Sequence, residues 1–180
     1  MAIPTIETER LILRPLRLDD LNDLFEYAQD EEVARPGMWE PYPSFEACRE
    51  HLEQLVASYS VDLMWWGVEH RQDRKLIGRV DLALWSRQNA RAEIGYALHW
   101  RYWRQGLMTE AARVVADYGW SELKLHRLGA TVLGSNAGSI RVLQKLGMSF
   151  EGRLKDHRFH WGEWVDVDVY GVVRPDGFAR

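Results

Sequence analysis

Apolar and polar positions alternate at Leu11, Leu13, Leu16 and Leu18, which predicts an opening strand over 10–18 with Pro15 near an edge. Asp19 and Asp20 then read as a helix cap, followed by an apolar stripe of Leu21, Leu24, Phe25 and Ala28. Residues 34–43, rich in Pro and Gly, read as a loop. Ser44 is placed to cap a second helix, whose Phe45, Cys48, Leu52, Leu55, Val56 and Tyr59 recur at helical steps. Three strands, 63–69, 75–85 and 92–100, follow around polar turns at 71–74 and 86–89, as in an antiparallel meander. The period then lengthens. Residues 107–121 predict a helix, 128–133 a strand, and 139–146 a helix stopped by Gly147. A final hairpin, 150–160 and 164–173, turns near Trp161-Gly162-Glu163. These elements predict an α/β domain whose mixed, largely antiparallel sheet of about seven strands is flanked by about four helices.

Composition narrows the classes. The 180 residues hold no repeat or linker and read as a single domain, 1–180. Cys48 is the only cysteine, which excludes an intrachain disulfide or thiolate cluster; its place in an apolar stripe reads as core packing. The first ten residues lack a secretory signal, and no run approaches the ~20 apolar residues of a membrane span, so a soluble, cytoplasmic protein is expected. A net charge of −4 and a pI near 5.9 argue against a nucleic-acid partner. Nine Trp exceed the needs of one small core, so some should line a cleft or an oligomer interface. His99, His126, His157 and His160 lack metal-ligand spacing, and no metal is expected.

The segment RYWRQGLMTEA, 101–111, leaves a strand, passes Gly106 and enters a helix. Unpartnered amides of a first helical turn and the positive end of the macrodipole suit a pyrophosphate, although one glycine before a helix also reads as an ordinary turn. Leu98, Trp100, Arg101, Arg104, Gln105, Gly106, Leu107, Met108 and Thr109 form the expected binding stretch. Thr109 suits a phosphate better than Glu110, which would repel it.

This stretch resembles the acetyl-CoA loop of the GNAT superfamily, Q/R-x-x-G-x-G/A, in the W-x-x-G-x-A/M-T-E-A form of ribosomal-protein N-acetyltransferases of the RimJ/RimL type. Gly106 matches the central glycine, Trp103 replaces the first Gln/Arg, Arg104 the glycine common next, and Met108 the final small residue. Arg104 is then expected to keep a negative φ, and Met108 to turn toward the core. A second block, NAGSIRVLQKLGMSFEG at 136–152, resembles the family's N-x-x-S-x-R-V-L-x-K-L-G-F-x-x-E-G. ETERLILRPLRLDD and AEIGYAL agree as well, so the likeness covers nearly the whole chain.

The resemblance implies a GNAT fold and acetyl-CoA as co-substrate, with direct transfer to a primary amine in a ternary complex. Glu93 is a candidate general base or a solvated strand-end charge, and Ser139 a thiol partner or a helix N-cap. Asn136 binds pantetheine or closes its own turn. Leu143 stands where many relatives carry the acidic Tyr, so no general acid is assigned. On the acceptor side, Trp39, Tyr42 and Phe45 with Trp161, Trp164 and Tyr170 form an aromatic slot or pack in the core. Asp166 or Asp168 recognises an ammonium, or both are exposed edge-strand charges.

The amine must be neutral to attack. At pH 7 that costs an α-amine roughly 1.4 kcal/mol and a lysine about 4.6 kcal/mol, which favours a protein N-terminus such as that of a ribosomal protein, or a low-pKa small amine. The alternatives are a polyamine, amino-sugar or antibiotic acetyltransferase, and a noncatalytic acyl-CoA-binding module. A nucleotide-binding domain would need glycine fingerprints that the chain lacks. The tail-hairpin aromatics suit a homodimer.

Overall fold

The computed structural model describes residues 3–58 and 63–175; Tyr59 of the expected helical stripe lies outside them. One sheet of eight strands runs in the order β1-β2-β3-β4-β5-β6-β8-β7. Its strands are β1 (Ile6–Glu7), β2 (Leu11–Pro15), β3 (Leu63–His70), β4 (Lys75–Ser86), β5 (Arg91–Leu98), β6 (Arg127–Leu133), β7 (Ser149–His160) and β8 (Glu163–Val173). Five helices, α1 (Leu21–Ala28), α2 (Glu31–Gly37), α3 (Phe45–Ala57), α4 (Leu107–Ser121) and α5 (Ala137–Lys145), cover its faces. All neighbours pair antiparallel except β5 and β6, because only the crossover through α4 returns the chain in the same direction.

The sheet's pleat sorts two cores. On one face Leu13, Trp66, Val80, Leu82, Ile94 and Leu98 pack with Leu107, Ala111, Val115 and Leu143 of α4 and α5. On the other, Leu76 and Ala97 meet Leu24, Tyr27, Val33, Cys48 and Leu52 of α1 to α3. Cys48 is fully buried and burial pushes its thiol up to about 11, which leaves it a core residue.

Two elements exceed the expected seven strands and four helices. The two-residue β1 pairs only Leu13 and Ile12, so Pro15 falls beyond its end on the open edge of β2, where no ladder donor is needed. The helix α2 begins at Glu31 and runs into the expected 34–43 loop. Asp30 caps it by accepting from Glu32 N–H, acidic residues fill its first turn, and Pro36 falls in the last turn before a left-handed Met38. Asp20 does not cap α1: its carboxylate forms a bidentate pair with Arg14 at 2.8 and 2.7 Å, and both are buried. Ser44 does cap α3, accepting from Ala47 N–H at 3.1 Å. Trp161 and Gly162 both have positive φ, the geometry of a tight primed turn between twisted strands. Among the described residues no helix is long and apolar enough to cross a membrane.

Candidate active site

The parallel ladder between β5 and β6 holds only at Arg91–Arg127, Ala92–Leu128 and Glu93–Gly129. Beyond Glu93, β5 follows β4 to Leu98 while β6 follows β8 to Leu133, so the strands splay. The β4–β5 register also shifts between Ala83 and Ser86, beside Glu93. A cleft of about 910 Å³ passes through this split and joins the two faces of the sheet. The edge of β5 over residues 94–98 is thereby withdrawn from the ladder to β6, and an amide-bearing chain can lie along it for about five residues, or ~17 Å.

On the α4 side, the loop after β5 is held from several directions. His99 is buried, and its Nδ1 accepts from Arg101 N–H at 3.3 Å. Trp103 Nε1 donates to Leu98 O at 2.7 Å, closing the strand end. Arg104 adopts φ +62, not the expected negative value, and Gly106 follows at +77 as the N-cap of α4. Two left-handed residues within three turn the chain sharply into the helix, and this explains why glycine suits position 104 and what Arg104 costs there. At Gly106 it is φ that calls for glycine: the only neighbour an added Cβ would meet is Arg10 Nη2 at 3.7 Å.

Arg10 clamps the loop to the helix. Its Nη1 donates to Gln105 O at 2.9 Å and its Nε to Glu110 Oε2 at 2.8 Å, while Thr8 Oγ1 donates to Glu110 Oε1 at 2.6 Å. Burial alone would raise the Glu110 carboxyl, but these donors outweigh it and hold it below its ordinary value. Glu110 is thus turned from the cleft, whereas Thr109 lines it. Leu98, Arg104, Gly106, Leu107 and Met108 also line it, and Met108 is buried toward the core as expected. Trp100, Arg101 and Gln105 do not; Arg101 stacks on Trp100, and Gln105 Nε2 donates to Arg101 O.

Across the split, Asn136 is the N-cap of α5, accepting from Ser139 N–H at 3.0 Å, so Ser139 is not itself the cap. The Ser139 hydroxyl lies 2.8 Å from Tyr96 Oη of β5, and both residues line the cleft with Leu143. Arg141 and Lys145, farther along α5, add cations to the same wall.

The opposite face has different chemistry. Glu93, Asp81 and Glu32 line it with Trp39 and Trp65. The Arg79 guanidinium lies 4.3 Å from the Trp65 ring centroid and donates to Asp81 Oδ1 at 2.6 Å. A Cβ on Gly95 would stand 2.7 Å from Asp81 Oδ2, so glycine there keeps the carboxylate in place. The helix α2 and the two residues after it form the outer wall, which is strapped through main-chain carbonyls. Asn136 Nδ2 donates to Pro36 O at 3.0 Å, His160 Nε2 to Arg35 O at 2.9 Å, Arg158 Nη2 to Met38 O at 2.9 Å, and Trp161 Nε1 to Trp39 O at 3.2 Å.

Of the expected acceptor residues only Trp39 reaches this cleft. Tyr42 hydrogen-bonds His51 on α3, and Trp164 is exposed against Phe159. Asp166 and Asp168 are not edge-strand charges, because β8 lies between β6 and β7. Asp168 is buried and held below the ordinary carboxylate value by a bidentate bond from Arg153, and Asp166 accepts from Asp156 N–H in the bulge of β7. Tyr96, Trp65, Arg79, Asp81, Glu32, Arg141 and Lys145 were not singled out from sequence. For Tyr96 and Arg141 the signal lay inside AEIGYAL and NAGSIRVLQKLG, but alternation of faces was needed to aim them. Among the described residues, no group of three or more His, Cys, Asp or Glu could hold a metal ion.

Residues 10–149 match the sequence profile of a family described as Acetyltransferase (GNAT) domain. The uncharacterized N-acetyltransferase YoaA of Bacillus subtilis is 35% identical over 173 residues, covering 96% of this chain and 98% of YoaA. Spermidine N(1)-acetyltransferase of Escherichia coli K12 is 30% identical over 152 residues, 84% of this chain and 80% of that enzyme. The crystal structure of ribosomal-protein-S5-alanine acetyltransferase from Vibrio fischeri superposes with a TM-score of 0.82 at 25% identity, covering 99% of this chain and 100% of that one.

Proposed function

The chain belongs to the GNAT acetyltransferase family, whose members use acetyl-CoA as co-substrate, and from that premise we propose that its acceptor is the α-amine of a protein N-terminus. The observation that carries this reading is the split at Glu93–Gly129, which opens a passage between two oppositely charged walls. Arg104, Arg141 and Lys145 line the α4/α5 wall, where the first turn of α4 adds its amides for the coenzyme's phosphates. Arg104 occupies a left-handed conformation that disfavours a side chain, so a charge is retained where the backbone would rather have glycine.

Glu32, Asp81 and Glu93 line the far wall and suit a cationic amine. Arg79 neutralises Asp81, which favours one ammonium over a polycation. Trp39 and Trp65 supply flat apolar surface for the first side chains of a peptide. Glu93 takes the amine proton where the ladder closes. The β5 edge holds the pantetheine amides, and Ser139 hydrogen-bonds the sulfur as the C–S bond breaks.

The same proposal places the protein in the cytoplasm, supported by the buried free thiol of Cys48, and as a homodimer, supported by Phe150, Phe159 and Trp164 exposed on β7 and β8. Sedimentation at a single monomer mass would reject the dimer. Calorimetry with acetyl-CoA, followed by thiol release with a panel of amines, tests the acceptor. Peptides with a free α-amine are expected to give the highest kcat/KM; products limited to ε-acetyl-lysine or to acetylated polyamines would overturn the assignment.

A further inference from the structure

Resting on the reading in which Ser139 serves the leaving sulfur, we propose that Tyr96 is a positioning residue that fixes the direction of the Ser139 hydroxyl. Tyr96 sits on β5 three residues past the last rung of the β5–β6 ladder, where the split has already opened. Its neighbours in sequence, Gly95 and Ala97, face α2, so the pleat sends the Tyr96 ring to the α4/α5 face with Ile94 and Leu98. There it packs against the core and its Oη reaches the first turn of α5. Oη lies 2.8 Å from Ser139 Oγ and 3.1 Å from Ser139 O.

A phenol has one proton to give, and this geometry offers two acceptors on one residue. Donation to the Ser139 carbonyl would leave the serine proton directed back at the phenol oxygen. Donation to Oγ occupies a serine lone pair and frees the serine proton for the cleft. A developing negative charge on sulfur selects the second arrangement, because each bond in the chain Tyr96 O–H to Ser139 O–H to sulfur polarises the next. The Ser139 amide is already committed to Asn136 Oδ1, which fixes the backbone from which the hydroxyl swings.

Nitrogen bonds to the carbonyl carbon, the C–S pair goes to sulfur, and the amine proton goes to Glu93. Sulfur leaves hydrogen-bonded to Ser139 and takes its proton from solvent on release. Tyr96 keeps its own proton throughout: burial, only partly offset by the bond with Ser139, raises its phenol well above the usual value. This also separates Tyr96 from a general acid, since it would add no ionisation limb to the rate profile.

The test is a double-mutant cycle on the full chain with acetyl-CoA and a peptide amine. Tyr96→Phe preserves the ring and its packing. It is expected to lower kcat about tenfold, or ~1.4 kcal/mol, with KM for acetyl-CoA within twofold and an unchanged pH profile. In a Ser139→Ala background the same change should cost nothing further. Wild-type kcat in Tyr96→Phe, or an undiminished tenfold loss without the serine hydroxyl, overturns the inference. A loss confined to KM or thermal stability would make Tyr96 a structural residue and overturn it as well. Absence of thiol release by the wild type with every amine would instead bring down the transferase reading beneath it.

Discussion

The two walls of the cleft are built by different means. The α4/α5 wall comes from two short unbroken runs of chain, 98–109 and 136–145, and its chemistry is largely that of backbone: a helix start, two left-handed residues and an opened strand edge. The α2 wall is assembled from segments far apart in sequence, 32–39, 65, 79–83 and 93–97, and is held by side chains reaching backbone carbonyls a hundred or more residues away. A binding site for an invariant coenzyme can be written locally. A site for a variable acceptor sits where side chains change without disturbing the sheet.

The sharpest test of this division lies at Glu93, where the walls meet. Glu93→Gln should lower kcat a few hundredfold at pH 7 without changing acetyl-CoA affinity, and the loss should shrink above about pH 8 as the α-amine becomes neutral by itself. An equal loss at every pH would remove Glu93 as base. Next, Gly106→Trp should weaken acetyl-CoA binding by about a hundredfold in calorimetry, because it places a large side chain at a left-handed helix start, a strain of roughly 1–2 kcal/mol before any clash with the ligand. Unchanged binding would move the phosphate site elsewhere.

Asn136 touches both walls, so it separates them. Asn136→Asp keeps the capping oxygen but loses the donor to Pro36 O, and should raise the acceptor KM about tenfold, as for a carbonyl stripped of its partner, with the acetyl-CoA Kd within twofold. The opposite pattern would make Asn136 a pantetheine ligand. The smallest effect is expected at Arg10. Arg10→Ala should raise the acetyl-CoA Kd about threefold, as fits a half-exposed pair.

The same variant has a pH signature. Glu110 has a depressed value in the folded state, so its pairing stabilises the fold fully above its ordinary pKa of 4.5 and fades as pH falls through the depressed value. The difference in Tm between wild type and Arg10→Ala should therefore be constant at neutral pH and close on acidification. A gap that widened in acid would contradict the clamp.

What could be read from the chain follows the same division. Helix α4 falls at 107–121 as its apolar period predicts, and Gly147 has the left-handed φ expected after α5. The α4/α5 wall was legible because its glycine and helix start are adjacent in sequence and its second block, 136–152, is itself an unbroken run. Arg104 was misjudged in conformation because the turn it makes depends on Gln105 being held by Arg10, ninety-five residues away. Asp166 and Trp164 read as acceptor residues because the final hairpin gathers aromatics and alternating carboxylates; folded, Asp166 is taken by Asp156 N–H and Trp164 by Phe159, and the sheet order 6-8-7 puts their strand inside. The helix α2 was hidden by Pro36 and Gly37, whose usual meaning as breakers is overridden here by an Asp cap and by four tertiary ties to carbonyls of the helix and the two residues after it.

Those ties bear on how the protein can change its target. Since Arg35, Pro36, Met38 and Trp39 are gripped by their main-chain oxygens, the path of this segment does not depend on its exposed side chains. Position 32, which is exposed, can therefore be exchanged to suit a new amine while the coenzyme side stays intact, whereas Val33 and Trp39 also pack on the core beneath. Adding or deleting a single residue there would put all four oxygens out of step with their donors at once. Retargeting by substitution is open to this scaffold, and retargeting by changing the length of the segment is not.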